Sequence, residues 1–397
     1  MDNQDPILQY LGREQTIFDS DVMTHELELS NIVRNGKFLV IGGAGSIGQA
    51  VVREIFSRNP SVLHVVDISE NSMVEVVRDL RSTAGYIDGE FKTYCIDCGG
   101  IEFEALVNSN GPYDYVFNLS ALKHVRSERD PFTLMRMIEV NILNTLKTIE
   151  LTQNGLTKYF CVSTDKAANP ANMMGASKRI MEMYLLLKSD DVSISTARFA
   201  NVAFSNGSLP DGFRKRLELK QPISAPSDVL RYFVTAQEGG QLCLLSGLLG
   251  LNKEIFFPNN SAIKAISFSS IAERFLESHG YQPVEMSSEA EARDRARELV
   301  LKKKWPVYFS ASDTTGEKPC EEFFTDSEQV NLEKFSSVGV VANSHMQSPD
   351  KLREFLADVT EMQKRGIWSK QEIVDLFINM VPSFSHLETG KYLDEKM

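Results

Sequence analysis

Cysteine is scarce in this chain. Five occur in 397 residues, which excludes a disulfide-stapled scaffold and points to a reducing compartment. Long apolar runs are missing too. The ten-residue stretch Leu242 to Leu251 falls well short of the roughly 18 residues a spanning helix needs, so no membrane span is expected. Positive charge is in deficit: 42 basic against 54 acidic side chains give a net charge of −12, a poor basis for wrapping nucleic acid. Met1-Asp2-Asn3-Gln4-Asp5 offers neither a basic nor an apolar leader region, so a cytoplasmic chain is expected. Repeats and low-complexity tracts are absent. Cys95-Ile96-Asp97-Cys98 has the spacing of a metal or redox pair but no second pair to complete it. These thiols are read as inert on a buried strand, and no metal is expected.

What is present reads as an α/β protein. The apolar fraction of 42% and charged fraction of 24% are those of a globular chain long enough for two or three lobes. Up to residue 35, apolar residues recur at helical spacing, predicting one or two amphipathic helices that dock on the body or on another subunit. From Gly36, short apolar runs alternate with helical patterns. Strands are predicted at Phe38–Ile41, Val62–Val66, Phe91–Ile96, Tyr115–Leu119, Tyr159–Val162 and Val192–Ala197. Helices are predicted at about 132–152 and 173–187. That alternation implies a doubly wound parallel sheet covered on both faces. Beyond Asn201 the rhythm breaks, with a strand at Glu254–Phe257, a helix at Ser269–Ser278, a charged helix at Glu285–Lys304 read as an insertion or flap, and one or two helices in Asp350–Val381.

Gly42-Gly43-Ala44-Gly45-Ser46-Ile47-Gly48 follows the first strand and opens a helix. Glycines at 42, 45 and 48 let backbone approach a pyrophosphate, and the helix N-terminus supplies free amides. Asp67 ends the next strand, 19 residues past Gly48, placed for the adenosine ribose hydroxyls. A carboxylate there repels a 2′-phosphate, so the expected cofactor is NAD rather than NADP. Asp97, after the third strand, is a candidate partner for the adenine amino group.

The run Val162-Ser163-Thr164-Asp165-Lys166-Ala167-Ala168-Asn169-Pro170 continues to Met174-Gly175-Ala176-Ser177-Lys178. Together with Ser120-Ala121-Leu122-Lys123-His124-Val125, Arg198-Phe199-Ala200-Asn201-Val202, the block Asp228 to Phe233, and Gly316-Glu317-Lys318 with Glu321-Glu322, it resembles the UDP-N-acetylglucosamine 4,6-dehydratases. These are extended short-chain dehydrogenase/reductases of surface-polysaccharide synthesis. The resemblance implies a Rossmann-type NAD-binding domain at 36–200, a smaller α/β nucleotide-sugar lobe at 201–340 with an insertion near 285–312, and helical extensions at 1–35 and 341–397. It also implies a homo-dimer or higher oligomer in which helices 132–152 and 173–187 pair with their copies.

The reaction so implied removes water across C5 and C6 of the sugar. The C5 proton becomes acidic only after C4 is oxidised to a ketone, and the stored hydride later returns to C6. The resemblance makes Lys166 the C5 base and Asp165 the O6 acid, with the lysine pKa lowered and the aspartate pKa raised by burial. Thr164 then bonds O4, and Lys178 holds the nicotinamide ribose and steadies charge near O4. Met174 stands where the superfamily carries a tyrosine base, so Asp165, directly or through water and Thr164, takes the O4 proton as well. Ser46, Ile47, Ala121, Lys123 and Asn141 are further cofactor-side candidates, with Asn141 acting through a bond to backbone. Lys123, His124, Asn201, Ser205, Arg231 and Glu317 are substrate candidates, with Arg231 on the diphosphate. Two other readings stand beside this one: a C4 epimerase or ketoreductase on the same scaffold, or an NAD-binding scaffold without catalysis.

Overall fold

The computed structural model describes residues 5–259, 261–313, 316, 318–343, 348–386 and 390. Its main sheet has nine strands. They are β1 (Lys37–Ile41), β2 (Val62–Asp67), β3 (Glu90–Cys95), β4 (Tyr115–Asn118), β5 (Lys158–Thr164) and β6 (Ile194–Phe199), then β11, β15 and β16 from the second half. In between lie β7 (Asn201–Val202), β8 (Ile223–Pro226), β9 (Leu230–Arg231), β10 (Phe233–Val234), β11 (Ile255–Pro258), β12 (Ile266–Ser267), β13 (Gln282–Glu285) and β14 (Lys304–Ser310), followed by β15 (Gln329–Asn331) and β16 (Val338–Asn343). Read from one edge the order is β3-β2-β1-β4-β5-β6-β11-β16-β15. It is parallel as far as β11, with β16 and β15 added antiparallel. The order reverses between β1 and β4, and in such sheets ligands bind where the chain leaves the strand ends on either side of that point.

The helices are α1 (Pro6–Tyr10), α2 (Asp19–Asn35), α3 (Ser46–Phe56), α4 (Glu70–Thr83), α5 (Ile101–Asn110), α6 (Pro131–Ile138), α7 (Asn144–Thr152), α8 (Met173–Lys188), α9 (Leu209–Glu218), α10 (Ala236–Leu249), α11 (Phe268–Ser278), α12 (Glu289–Leu301), α13 (Pro349–Arg365) and α14 (Lys370–Met380). One apolar cluster joins α2, α3, α4 and α10 to one face of the sheet. A second joins α5 to α8 and α13 to α14 to the other. The Leu242–Leu251 run is thus a core helix, buried on nearly every side. No helix among the described residues is long and apolar enough to cross a membrane.

The six early strands and the helix at 173–187 stand within two residues of expectation. Elsewhere the structure differs. The predicted helix 132–152 is broken by a π-helical turn at Glu139–Leu143, which carries Asn141. The charged segment near 285–312 is not a flap: β13, α12 and β14 form a parallel βαβ unit whose last strand pairs with β8. The range 201–340 is shared between two bodies, because α10 and β11 return to the main sheet. Cys95 is exposed rather than buried, since β3 is the sheet edge. Cys98 is buried, and desolvation pushes its thiol up to about 11, which keeps it protonated.

The N-terminal segment docks on this chain. Arg13 pairs with Glu238 at 2.7 Å, and the Asp21 carboxylate accepts four bonds of 2.6–2.8 Å from Ser336 and Ser337. The C-terminal helices also dock in cis. Leu352, Phe355, Val359, Ile373, Leu376 and Phe377 pack with Ile138, Ile142, Met181, Tyr184 and Leu185, and Trp368 Nε1 donates to the Pro131 carbonyl at 2.9 Å. Helices α13 and α14 thus pack against α6 and α8 of the same chain.

Candidate active site

The glycine loop has three separate reasons for glycine. Gly42 sits at φ +76°, and both its amide and that of Gly43 reach the Val66 carbonyl, at 2.8 and 3.2 Å. A Cβ on Gly48 would lie 2.1 Å from the Gly42 carbonyl oxygen, so the helix can start there only without one. Gly45 is different. Its nearest obstacle is 3.5 Å away and its φ is −70°, so the folded chain alone would accept a side chain. Gly45 is also the N-cap of α3 and no side chain caps that end. Bare amides behind a position kept clear suit a phosphate.

Asp67 braces this loop: Oδ2 accepts from the Ala44 amide and Oδ1 from the Ser69 amide, both at 2.9 Å. Asp97 accepts from the Gly99 amide at 2.8 Å and from Arg136 at 2.9 Å. Burial opposes its charge, but these bonds hold the carboxyl below its usual range.

A cavity of about 480 Å³ opens beside the loop. Gly42, Gly45, Ser46, Ile47, Gly48, Ala121, Lys123, His124, Thr164, Lys166, Met174, Lys178, Asn201 and Ser205 all line it. Its far wall comes from Ser224–Pro226 at the end of β8 and Ser310–Asp313 after β14, which sequence reasoning did not single out. Ser46 Oγ accepts from the Asn206 amide at 3.1 Å, and Lys123 Nζ lies 3.3 Å from Ser205 Oγ. Two bonds thus tie the loop after β7 to the dinucleotide-loop side.

Strand β5 delivers the central pair. Thr164 caps the short turn Asp165–Ala167. Asp165 Oδ1 receives Thr164 Oγ1 at 2.8 Å, the Lys166 amide at 2.8 Å and Lys166 Nζ at 3.0 Å. Its buried Oδ2 has no hydrogen-bond partner among the described residues. Lys166 Nζ also lies 3.7 Å from Glu321 Oε1. Burial works against the Lys166 charge, but the Asp165 and Glu321 carboxylates outweigh it and hold the ammonium above its usual range. This reverses the lowered value expected from sequence. Glu321 goes up as well: burial dominates, Lys166 pulls down and the Asp165 charge adds to the rise.

Helix α8 is pressed onto this turn, where a Cβ on Gly175 would meet the Lys166 carbonyl at 2.5 Å. The Met174 amide donates to Glu128 Oε1 at 3.2 Å, while its thioether side chain fronts the cavity. Lys178 Nζ donates to the Val162 carbonyl at 3.0 Å, and burial pushes its ammonium below the usual range. Behind the pair, Ser163 donates to Glu182 at 2.6 Å. Glu182 and Glu328 both clamp the fully buried Arg198, whose pull overcomes burial and takes Glu328 down to about 2. That ionic knot fixes the end of β5.

Asn141 acts through backbone as expected, Arg231 takes a different place, and one candidate is not described. Asn141 is fully buried and does not reach the cavity; its amide grips the Leu122 N–H and C=O at 2.9 and 3.1 Å and Ser177 at 3.0 Å, so it positions the 121–124 segment rather than touching a cofactor. Arg231 is buried away from the cavity lining, and Nη1 donates to the carbonyls of Leu230 and Lys318 at 2.9 Å, so it anchors the loop that carries Glu321. Glu317 lies outside the described residues. Sequence reasoning passed over Glu321 itself. It was visible in the Glu-Glu pair after Gly-Glu-Lys, but only the fold brings it to Lys166. Among the described residues, no group of His, Cys, Asp and Glu is arranged to hold a metal.

A family model described as "Polysaccharide biosynthesis protein" matches residues 38–343. The capsular polysaccharide biosynthesis protein CapD of Staphylococcus aureus is 32% identical over 260 residues, which are 62% of this chain and 40% of that one, so the chain spans less than half of that relative. A UDP-glucose 4-epimerase of Rickettsia bellii is 29% identical, covering 56% of this chain and 66% of its own. An inverting UDP-N-acetylglucosamine 4,6-dehydratase of Campylobacter jejuni is 26% identical, covering 58% and 69%. Among solved structures, Pen from Bacillus thuringiensis superposes with a TM-score of 0.64 at 19% identity, covering 83% of this chain and 99% of that one. At that identity the likeness concerns the fold.

Proposed function

The chain belongs to the polysaccharide biosynthesis protein family, and from that premise we propose that it is an NAD-dependent nucleotide-sugar 4,6-dehydratase acting on an N-acetylhexosamine, with UDP-N-acetylglucosamine as the first candidate. One observation carries the choice: Lys166 lines the cavity at the end of β5 with Met174 and Lys178, and Asp165 pairs with it from behind at 3.0 Å. The epimerase relative makes C4 epimerisation the competing reading, but that reaction has no use for a base at C5 or an acid at O6.

The uncapped N-terminus of α3 and the clearance at Gly45 suit the NAD pyrophosphate, Asp67 the adenosine ribose and Lys178 the nicotinamide ribose. Bound NAD supplies a hydride acceptor at C4 and a hydride donor at C6. Thr164 and Asp165 serve O4: the threonine hydroxyl is already 2.8 Å from Asp165, so a proton leaving O4 has a short path to that carboxylate. Asp165 then passes the proton to O6 as water departs. Lys166 takes the C5 proton and returns one to C5, and Lys178 steadies the oxygen at C4. Atoms balance to the loss of one water.

The direct test is incubation of the purified chain with NAD and UDP-N-acetylglucosamine, followed by mass spectrometry of the sugar nucleotide. Loss of one water is expected. An unchanged mass overturns the dehydratase reading, and a gain of two hydrogens makes the chain a reductase.

Asp67 offers a separable check. Asp67→Ala removes both the Ala44 brace and the charge, and NAD affinity should fall about 10- to 100-fold, the scale of a lost bond to a charged group. Asp67→Asn keeps an acceptor for Ala44, so it should spare most NAD affinity while relaxing discrimination against NADP. Titration of both dinucleotides reads this out. Wild type binding NADP more tightly than NAD shows Asp67 to be misassigned.

A further inference from the structure

Lys166 poses a difficulty that its own neighbourhood answers. A base at C5 has to be a free amine, yet Lys166 is an ammonium held between two carboxylates, Asp165 at 3.0 Å and Glu321 at 3.7 Å. The side chains of both acids are almost fully enclosed, at 1% and 3% exposed, and that of Lys166 is 14% exposed. Bulk water is therefore a poor sink for the lysine proton once a sugar fills the cavity. Asp165 is committed to the O4 and O6 protons, and its Oδ1 already takes three donors. Glu321 is the remaining acceptor beside Nζ.

Resting on the dehydratase reading, we infer that Glu321 takes the proton from Lys166 when substrate closes the site, freeing the amine for the C5 step and holding that proton until turnover ends. The transfer converts an ammonium and a carboxylate into an amine and a carboxylic acid. No net charge moves, and nothing but the one proton changes place. In a site emptied of water the neutral pair replaces a desolvated ion pair, so substrate binding itself drives the exchange. The remaining charges facing the cluster are Arg231 on β9 and Lys318 on the loop that carries Glu321. Arg231, through its bonds to Leu230 and Lys318, keeps that loop in place. The rise in the Glu321 carboxyl from burial and the Asp165 charge suits a group that has to hold a proton at neutral pH. Glu321 acts through Lys166, so it is a positioning and proton-holding residue rather than one that touches the reacting atoms.

The test uses the full chain, NAD and UDP-N-acetylglucosamine in deuterated and ordinary buffer. In Glu321→Gln, NADH formation on mixing should stay within about twofold of wild type. Water loss and C5 deuterium exchange at pH 7 should fall on the order of 100-fold, the scale of one lost proton-transfer partner. Wild type should be nearly flat in rate around neutrality, because the pair keeps its proton between its own members. In Glu321→Gln only solvent can deprotonate Lys166, so the elimination rate should climb up to about tenfold per pH unit toward alkaline pH. Glu321→Asp should recover part of the rate and part of the flat profile. A Glu321→Gln variant with the wild-type rate and profile overturns the inference, as does one that loses NADH formation equally, which would place Glu321 in folding or binding. Wild type that neither forms NADH nor exchanges C5 hydrogen overturns the dehydratase reading itself.

Discussion

Lys166→Met should lower dehydration of UDP-N-acetylglucosamine by roughly a thousandfold, within the range expected for loss of a general base, while NADH still forms on mixing. The variant should hold a 4-keto sugar that has not lost water and whose C5 hydrogen does not exchange with deuterated solvent. The expectation follows from the placement of the two groups. Thr164 and Asp165 can serve O4 without Lys166, because the threonine hydroxyl already bonds Asp165 at 2.8 Å. Asp165→Asn should behave differently. An amide oxygen can still receive Thr164 and the Lys166 amide, so the turn keeps its shape, but it cannot take the O4 proton, and NADH formation should disappear along with dehydration. Met174 supplies the complementary experiment. Its side chain fronts the cavity from the first turn of α8, one helical turn before Lys178. Met174→Tyr on the Asp165→Asn background should therefore restore NADH formation, because a phenol there gives O4 a second acceptor. Lys166→Met dehydrating at nearly the wild-type rate would show that another group removes the C5 proton.

The elements that sequence made legible are those whose burial leaves a local signature. β1, β2, β4 and β5 are almost wholly enclosed, so each reads as a largely apolar run, and the glycine after β1 and the aspartate that ends β2 mark the ligand side of the sheet. β13 and β14 were missed for the opposite reason. Gln282–Glu285 is short and half polar, and Lys304–Ser310 begins inside a lysine run that belongs by composition to the charged helix before it. The site divides the same way. Glycine spacing, the Thr-Asp-Lys run and the lysine four residues after Met174 are local patterns, and the structure brings them to one cavity. The protonation state of Lys166 is not local. It depends on Glu321, carried there by a loop that Arg231 anchors, and on burial of the whole cluster. Arg231 illustrates the limit from the other side: an arginine in a sugar-site motif reads as a diphosphate ligand until the fold spends its Nη1 on carbonyls.

The C-terminal helices should prove part of the catalytic body rather than an appendage, and the consequence is large. Phe355 and Phe377 are 2% and 1% exposed, with ring centroids 5.8 Å apart, and Phe355 also faces Tyr184 on α8. Phe355→Ala should cost about 3–5 kcal/mol, a large share of the roughly 5–15 kcal/mol that holds a domain folded. Its melting temperature should fall by several degrees or more. The same measurement separates two accounts of this face. If α13 and α14 cover α6 and α8 in cis, the loss is intramolecular, and the melting temperature of both proteins should be the same at 1 and 50 µM. If a second copy supplied the cover, association would couple to folding and the melting temperature would rise with protein concentration. Removal of residues 344–397 should go further. It bares Ile138, Ile142, Met181, Tyr184 and Leu185 together, a continuous apolar surface on the helices that also carry Asn141-bound Ser177 and Lys178. The truncated chain should aggregate or self-associate more than the full chain, and it should lose NAD binding as α8 loosens from the end of β5. A truncated chain that stays monodisperse, with its melting temperature and NAD affinity intact, would show that the hairpin is dispensable and that α6 and α8 need no cover.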